Sequence, residues 1–114
     1  MDMSKTPEIV VCIYRVRRGN ESEFVELLRR HWPTLQSLDL VTDEAPQHLR
    51  GFEQSGEPIF VEIFAWKTAE SARLAHEHPE VMAIWEPMDK LTEPREGRPN
   101  MEFPHFQRLD LLGT

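Results

Sequence analysis

The sequence predicts an α+β fold: a ferredoxin-like βαββαβ chain, with a four-stranded antiparallel sheet carrying two helices on one face. Three observations point there. The segments Glu8–Arg18 and Ile59–Lys67 are dense in β-branched and aromatic residues. Two longer segments, about 20–38 and 68–90, carry apolar residues at helical spacing. The turn Ser55-Gly56-Glu57-Pro58 is short enough that the strands on either side must pair as a hairpin.

Residues 1–7 read as a flexible polar tail, and 8–114 as a single domain. In the first strand, alternation places Val10, Cys12, Tyr14 and Val16 on one face. Ile9, Val11, Ile13, Arg15 and Arg17 lie on the other. Asn20 followed by Glu23 has the pattern of a helix cap with a reciprocal acid. The helix behind it buries Phe24, Leu27, Leu28, His31, Trp32 and Leu35, and Pro33 is expected to kink or interrupt it after Trp32.

A short strand is expected over Gln47–Glu53, and the strongest strand over Ile59–Lys67. One face of the latter carries Ile59, Val61, Ile63 and Ala65, the other Phe60, Glu62, Phe64 and Trp66. Thr68 caps the next helix, whose inner stripe is Ala69, Ala72, Ala75 and His76. Pro79 opens a fresh helical segment running toward Lys90, with Val81, Ile84, Trp85 and Met88 inward, and Pro87 expected to bend or end it. Residues 92–100 read as a loop. Met101–Leu112 reads as the last strand, with Pro104 marking an edge or a bulge.

The helices cover one sheet face only, yet the two strongest strands are apolar on both. A chain of 114 residues has no spare layer, so a homodimer packed through the uncovered sheet face is expected.

Thirteen Lys and Arg against twenty Asp and Glu give a net charge of −7, a poor balance for gripping a phosphate backbone, so no nucleic-acid partner is expected. No apolar run is long enough for a membrane span, and no signal-peptide pattern opens the chain; a cytoplasmic protein is the expectation. The single Cys12 lies inside a strand and reads as a core residue. Phosphate-loop, HExxH, EF-hand, GxSxG and CxxC patterns are absent, and no cofactor or metal is assigned.

Glu62 is the most informative polar residue. A carboxylate between Phe60 and Phe64 must be paired or solvated, or else carry a raised pKa. It reads as the partner of Arg15 or Arg17, as a residue at an exposed end of the sheet, or as a base or ligand anchor in a pocket. His76 and His78 form an H-x-H pair at a helix break. With His31 or Glu62 they have the ligand types of a zinc or iron site. His78, ahead of Pro79, reads otherwise as a cap, or as a group that moves a proton. Tyr14, Trp32, Trp66 and Trp85 line an apolar cavity or fill the core and dimer interface. His105 is expected at a pocket rim or against the partner chain, and His48 exposed on the weakest strand. The candidate catalytic residues are therefore Glu62 and His78. The candidate substrate-binding residues are Tyr14, His31, Trp32, Trp66, His76 and Trp85.

The chain resembles the dimeric α+β barrel superfamily, in particular the antibiotic-biosynthesis-monooxygenase-like and stress-responsive barrel proteins. The resemblance rests on V-C-I-Y-R-V-R-R-G-N-E-S-E-F (Val11 to Phe24), F-V-E-I-F-A-W-K-T-A-E (Phe60 to Glu70) and H-E-H-P-E-V (His76 to Val81). It implies a dimer whose sheets pack face to face, and a cavity between sheet and helices in each protomer. Members include cofactor-free oxygenases of polycyclic phenols, haem-degrading enzymes and aromatic cyclases. The haem-degrading members use an Asn, a Trp and a His; Asn20 falls in a turn here, so haem is not expected.

The function expected is thus a small-molecule-binding protein or cofactor-independent enzyme, monooxygenase-like, acting on an aromatic or apolar substrate. The alternative is a non-catalytic dimeric protein with a filled core.

Overall fold

The computed structural model describes residues 6–113. Most of the expected tail at 1–7 lies outside the described residues. The elements run β1 (Glu8–Tyr14), α1 (Glu21–Ser37), β2 (Gln47–Phe52), β3 (Pro58–Trp66), α2 (Ala69–Ala75), α3 (Pro79–Lys90), β4 (Met101–Glu102) and β5 (His105–Phe106). The sheet order is β2-β3-β1-β4, with β5 also on β1; every pairing is antiparallel. The fold is α+β and ferredoxin-like, with one edge strand in two pieces.

The alternation read from the sequence sets the two faces. Val10, Cys12, Tyr14, Phe60, Glu62, Phe64 and Trp66 are buried, under helices that contribute Phe24, Leu27, Leu28, Leu35, Val81, Ile84 and Met88. Tyr14, Phe24 and Phe60 pack in sequence as tilted rings, with centroids 4.9 and 5.6 Å apart. On the opposite face Ile9, Val11, Ile13, Ile59, Val61 and Ile63 are only partly covered, and neighbouring Leu49 is exposed.

Several expectations are corrected. The strand expected over Met101–Leu112 forms only β4 and β5. Pro104 has no N–H for a ladder, although its carbonyl accepts from the Val11 N–H at 3.0 Å. Residues 107–113 form no strand and leave Leu109, Leu111 and Leu112 exposed. Pro33 does not interrupt α1, because it and Arg29 lie on the exposed side, where the freed Arg29 carbonyl faces water. Nor does Pro87 end α3.

Two helices become three, the break falling at His76–His78 ahead of Pro79. The Asn20 side chain makes no cap hydrogen bond; Glu21 instead accepts from the Gly19 N–H. Thr68 does cap α2, its N–H donating to Ser71 Oγ at 3.2 Å. Arg15, expected on the open sheet face, is buried. It donates to the Pro99 carbonyl at 2.8 Å and to Glu102 at 3.0 Å. Among the described residues no helix is long and apolar enough to cross a membrane.

Candidate active site

The buried carboxylate of Glu62 is the hub. β3 carries it on the helix-covered face, where strand alternation leaves it no exposure at all. Three residues from three elements converge on it. Tyr14, from β1, donates its hydroxyl to Oε1 at 2.9 Å. His31, on the inner stripe of α1, places Nδ1 2.7 Å from the same oxygen. His48, on β2, places Nε2 2.9 Å from Oε2. Four acceptor directions serve three donors, so the carboxylate is well satisfied. No arginine reaches it: Arg15 pairs with Glu102 and Glu53, and Arg17 with Glu93.

A second hydrogen bond fixes the tautomer of His31. The Trp85 indole N–H can only donate, and it does so to His31 Nε2 at 2.8 Å. A neutral His31 therefore carries its proton on Nδ1 and gives it to Glu62. The result is a continuous chain from Trp85 through His31 to Glu62, with Tyr14 and His48 as side branches.

Burial alone would push the Glu62 carboxyl up. The imidazoles of His31 and His48, by charge and by hydrogen bonds, more than offset this and hold it below the usual carboxylate range. Hydrogen bonding to Glu62 raises the half-exposed His48 against the opposing effect of its own burial. Burial, with Cys12 and Glu62 nearby, holds the Tyr14 phenol well above its ordinary value, so Tyr14 stays a neutral donor. Burial likewise keeps Cys12 a thiol.

Beside this network lies a cavity of about 310 Å³ between sheet and helices. Val10, Cys12 and Tyr14 of β1, Phe64 and Trp66 of β3, and Met101 form one wall. His31, Ala72, His76, Trp85 and Met88 form the helical wall, and Phe103 and His105 the rim. The lining is mostly apolar and aromatic, with convergent imidazoles, as small-molecule sites tend to be. The His76 ring meets Trp85 edge to face at 4.8 Å, and Phe64 meets Trp66 at 5.0 Å. The buried Trp66 indole N–H, on this wall, has no hydrogen-bond partner among the described residues. His105 is tied to Glu8 at 3.2 Å.

Of the residues singled out from the sequence, Tyr14, His31, Trp66, His76 and Trp85 meet at this cavity. Glu62 does not line it and acts from behind His31 and Tyr14. Trp32 packs at the core margin, away from the cavity lining. His78 is the residue ahead of α3, accepting backbone hydrogen bonds from Val81 and Met82, and does not line the cavity either. Among the described residues, no three His, Cys, Asp or Glu side chains converge as a metal site.

His48 is the functional group the sequence reading passed over. Its signal lay in the hairpin. The turn pairs Phe52 with Pro58, and four steps back along the register His48 faces Glu62.

No protein-family model and no curated protein sequence matches the chain. Solved structures do. SnoaB, a cofactor-independent oxygenase from Streptomyces nogalater, superposes with a TM-score of 0.67 at 16% identity, covering 96% of this chain and 99% of its own. A Nitrosomonas europaea protein provisionally assigned as an antibiotic biosynthesis monooxygenase gives 0.69 at 12% identity, covering 99% and 100%. The chain shares the fold of the antibiotic-biosynthesis monooxygenases. A conserved protein from Methanosarcina mazei Go1 has this fold too, with a TM-score of 0.68 at 14% identity over 94% of this chain and 97% of its own. At such identities the likeness concerns the fold; the chemistry has to be argued from the side chains.

Proposed function

We propose that this protein binds a small aromatic molecule bearing an ionisable hydroxyl, and acts on it as a cofactor-independent enzyme of the monooxygenase kind. The observation that carries this reading is the cavity wall at His31. An imidazole backed by a buried, ionised carboxylate faces a mostly apolar, aromatic cavity of about 310 Å³. A filled interior, the mark of a non-catalytic protein, would leave no such space.

In this reading Trp66, Trp85 and Phe64 hold the ring of the ligand. The ligand hydroxyl replaces the Trp85 indole N–H at His31 Nε2 and gives up its proton there. Glu62 stabilises the imidazolium through Nδ1, while Tyr14 holds the carboxylate in place. An electron-rich phenolate can itself reduce oxygen. A phenol with a ring hydrogen opposite its hydroxyl then loses two hydrogens and gains one oxygen, and the second oxygen leaves as water. The SnoaB likeness, to a cofactor-independent oxygenase, supports this choice of chemistry.

The same reading includes a second copy of the chain. The open sheet face, with Ile9, Val11, Ile13, Ile59, Val61 and Ile63, supports a dimer packed face to face.

Oxygen consumption with polycyclic phenols whose position opposite the hydroxyl is free, such as 1-naphthol, tests the activity. The enzyme should accelerate consumption above the uncatalysed rate, and His31→Leu should abolish the acceleration. Equal rates with and without protein across the phenol series would defeat the catalytic reading.

A further inference from the structure

Glu62 has two oxygens, and they serve two different histidines in two different places. Oε1 binds His31, whose other nitrogen is on the cavity side. Oε2 binds His48, which lines a separate groove between α1 and β2 and whose side chain is 41% exposed. Nothing in the proposed chemistry requires the second arm. Tyr14 and His31 both serve Oε1, so the partner of the buried Oε2 is this surface imidazole, which reaches in from the groove.

We propose that His48 is the proton outlet of the cavity, coupled to His31 through the carboxylate they share. The inference rests on the reading that the cavity ligand gives up a proton.

The exchange balances without a proton crossing the carboxylate. The ligand O–H bond breaks, its electron pair stays on oxygen, and the proton forms an N–H bond at His31 Nε2. Glu62 then has an imidazolium on each side, whereas one negative charge favours one of them. His48, the wetter of the two, releases a proton from Nδ1 to water and keeps its Nε2 proton on Oε2. One proton has left the ligand and one has entered solvent, while Glu62 remains ionised throughout.

The surroundings agree with this direction of travel. Hydrogen bonding to Glu62 favours a charged His48 at rest. Arg29 from α1, itself paired with Glu26 at 3.1 Å, and Arg50 from the same strand line the groove with His48. His31 faces Glu62 and Tyr14 across the sheet side, and Trp85 and the cavity imidazoles of His76 and His105 on the other. Among the described residues, no carboxylate other than Glu62 bonds to it.

The test is imidazole titration by nitrogen-15 NMR, with no ligand present. In Glu62→Gln the His48 titration should shift down, and in His31→Leu it should shift up, because the carboxylate then serves one imidazole. An unchanged His48 titration in both variants would overturn the coupling. His48→Gln alters only a half-exposed side chain and guards against misfolding in the other two. With 1-naphthol as the probe, wild-type affinity should change several-fold in a step at the His48 titration, and His48→Gln should lack that step. Identical profiles in the two proteins would overturn the outlet. If 1-naphthol does not bind the wild type, the cavity reading fails and the outlet falls with it, while the ligand-free titrations separately report whether the two imidazoles are coupled.

Discussion

His31 Nδ1 lies 2.7 Å from Glu62 Oε1, and both side chains are buried. This pair joins the core of the fold to the wall of its cavity. An interior charge of this kind is kept only if its partners are kept, so stability and function meet at one carboxylate.

Truncating that carboxylate should therefore be costly. Glu62→Ala strands Tyr14, His31 and His48, and should lower stability by about 3–5 kcal/mol, the usual loss when one partner of a buried pair is removed. Glu62→Gln keeps the volume and one acceptor oxygen and should cost less, about 1–3 kcal/mol. Urea unfolding measures both. A loss under about 0.5 kcal/mol for the alanine variant, the level of an ordinary surface change, would contradict the hub role.

The same cluster should shape the pH dependence of stability. Glu62 is held below its ordinary 4.5, at about 2, so its contribution is full above 4.5 and is lost as pH falls toward 2. His48 is held above its ordinary 6.5, so its contribution is full below 6.5 and is lost as pH rises through the folded value. The difference in Tm between wild type and Glu62→Gln should thus be greatest between about pH 4.5 and 6.5. A difference that grows steadily below pH 4.5 would contradict the assignment.

Trp85 should fix the tautomer of His31. Nitrogen-15 shifts of neutral His31 should show the proton on Nδ1, and Trp85→Phe should cost about 0.5–1.5 kcal/mol for the lost hydrogen bond, plus a smaller packing loss. A proton found on Nε2 in the wild type would mean that the indole is not donating there.

The open sheet face gives a prediction about assembly. Light scattering at micromolar concentration should report twice the 13.4 kDa chain mass. Val61→Lys, at the centre of that face, should return the mass to one chain or cause aggregation by exposing the rest of the patch. A folded wild-type monomer would contradict the dimer.

Much of this was legible from periodicity. Two-residue alternation put Glu62 on the buried face with Phe60, Phe64 and Trp66, and helical spacing put His31 on the inner stripe of its helix. Alternation fixes a face but not the element lying over it, so Arg15 and Arg17 were the partners expected for Glu62 and His31 was not among them. Arg15 failed as a partner because β1 ends at Tyr14 and its side chain turns toward Pro99 and Glu102. His48 was hidden by a strand, QHLRGF, with almost no apolar pattern; only the hairpin register reveals it. His78 looked chemical because of H-x-H, but the Pro79 that makes the motif conspicuous also places His78 at the entry to α3, away from the cavity lining.

If the cavity takes an aromatic hydroxyl against His31, a binding titration should register it. Trp66 and Trp85 line the space, so tryptophan fluorescence should report 1-naphthol entering it. Quenching should be saturable in the wild type, with a roughly tenfold weaker affinity in folded His31→Leu, equal to about 1.4 kcal/mol. No saturable change up to the solubility of 1-naphthol, or equal affinity in the two proteins, would contradict binding against His31.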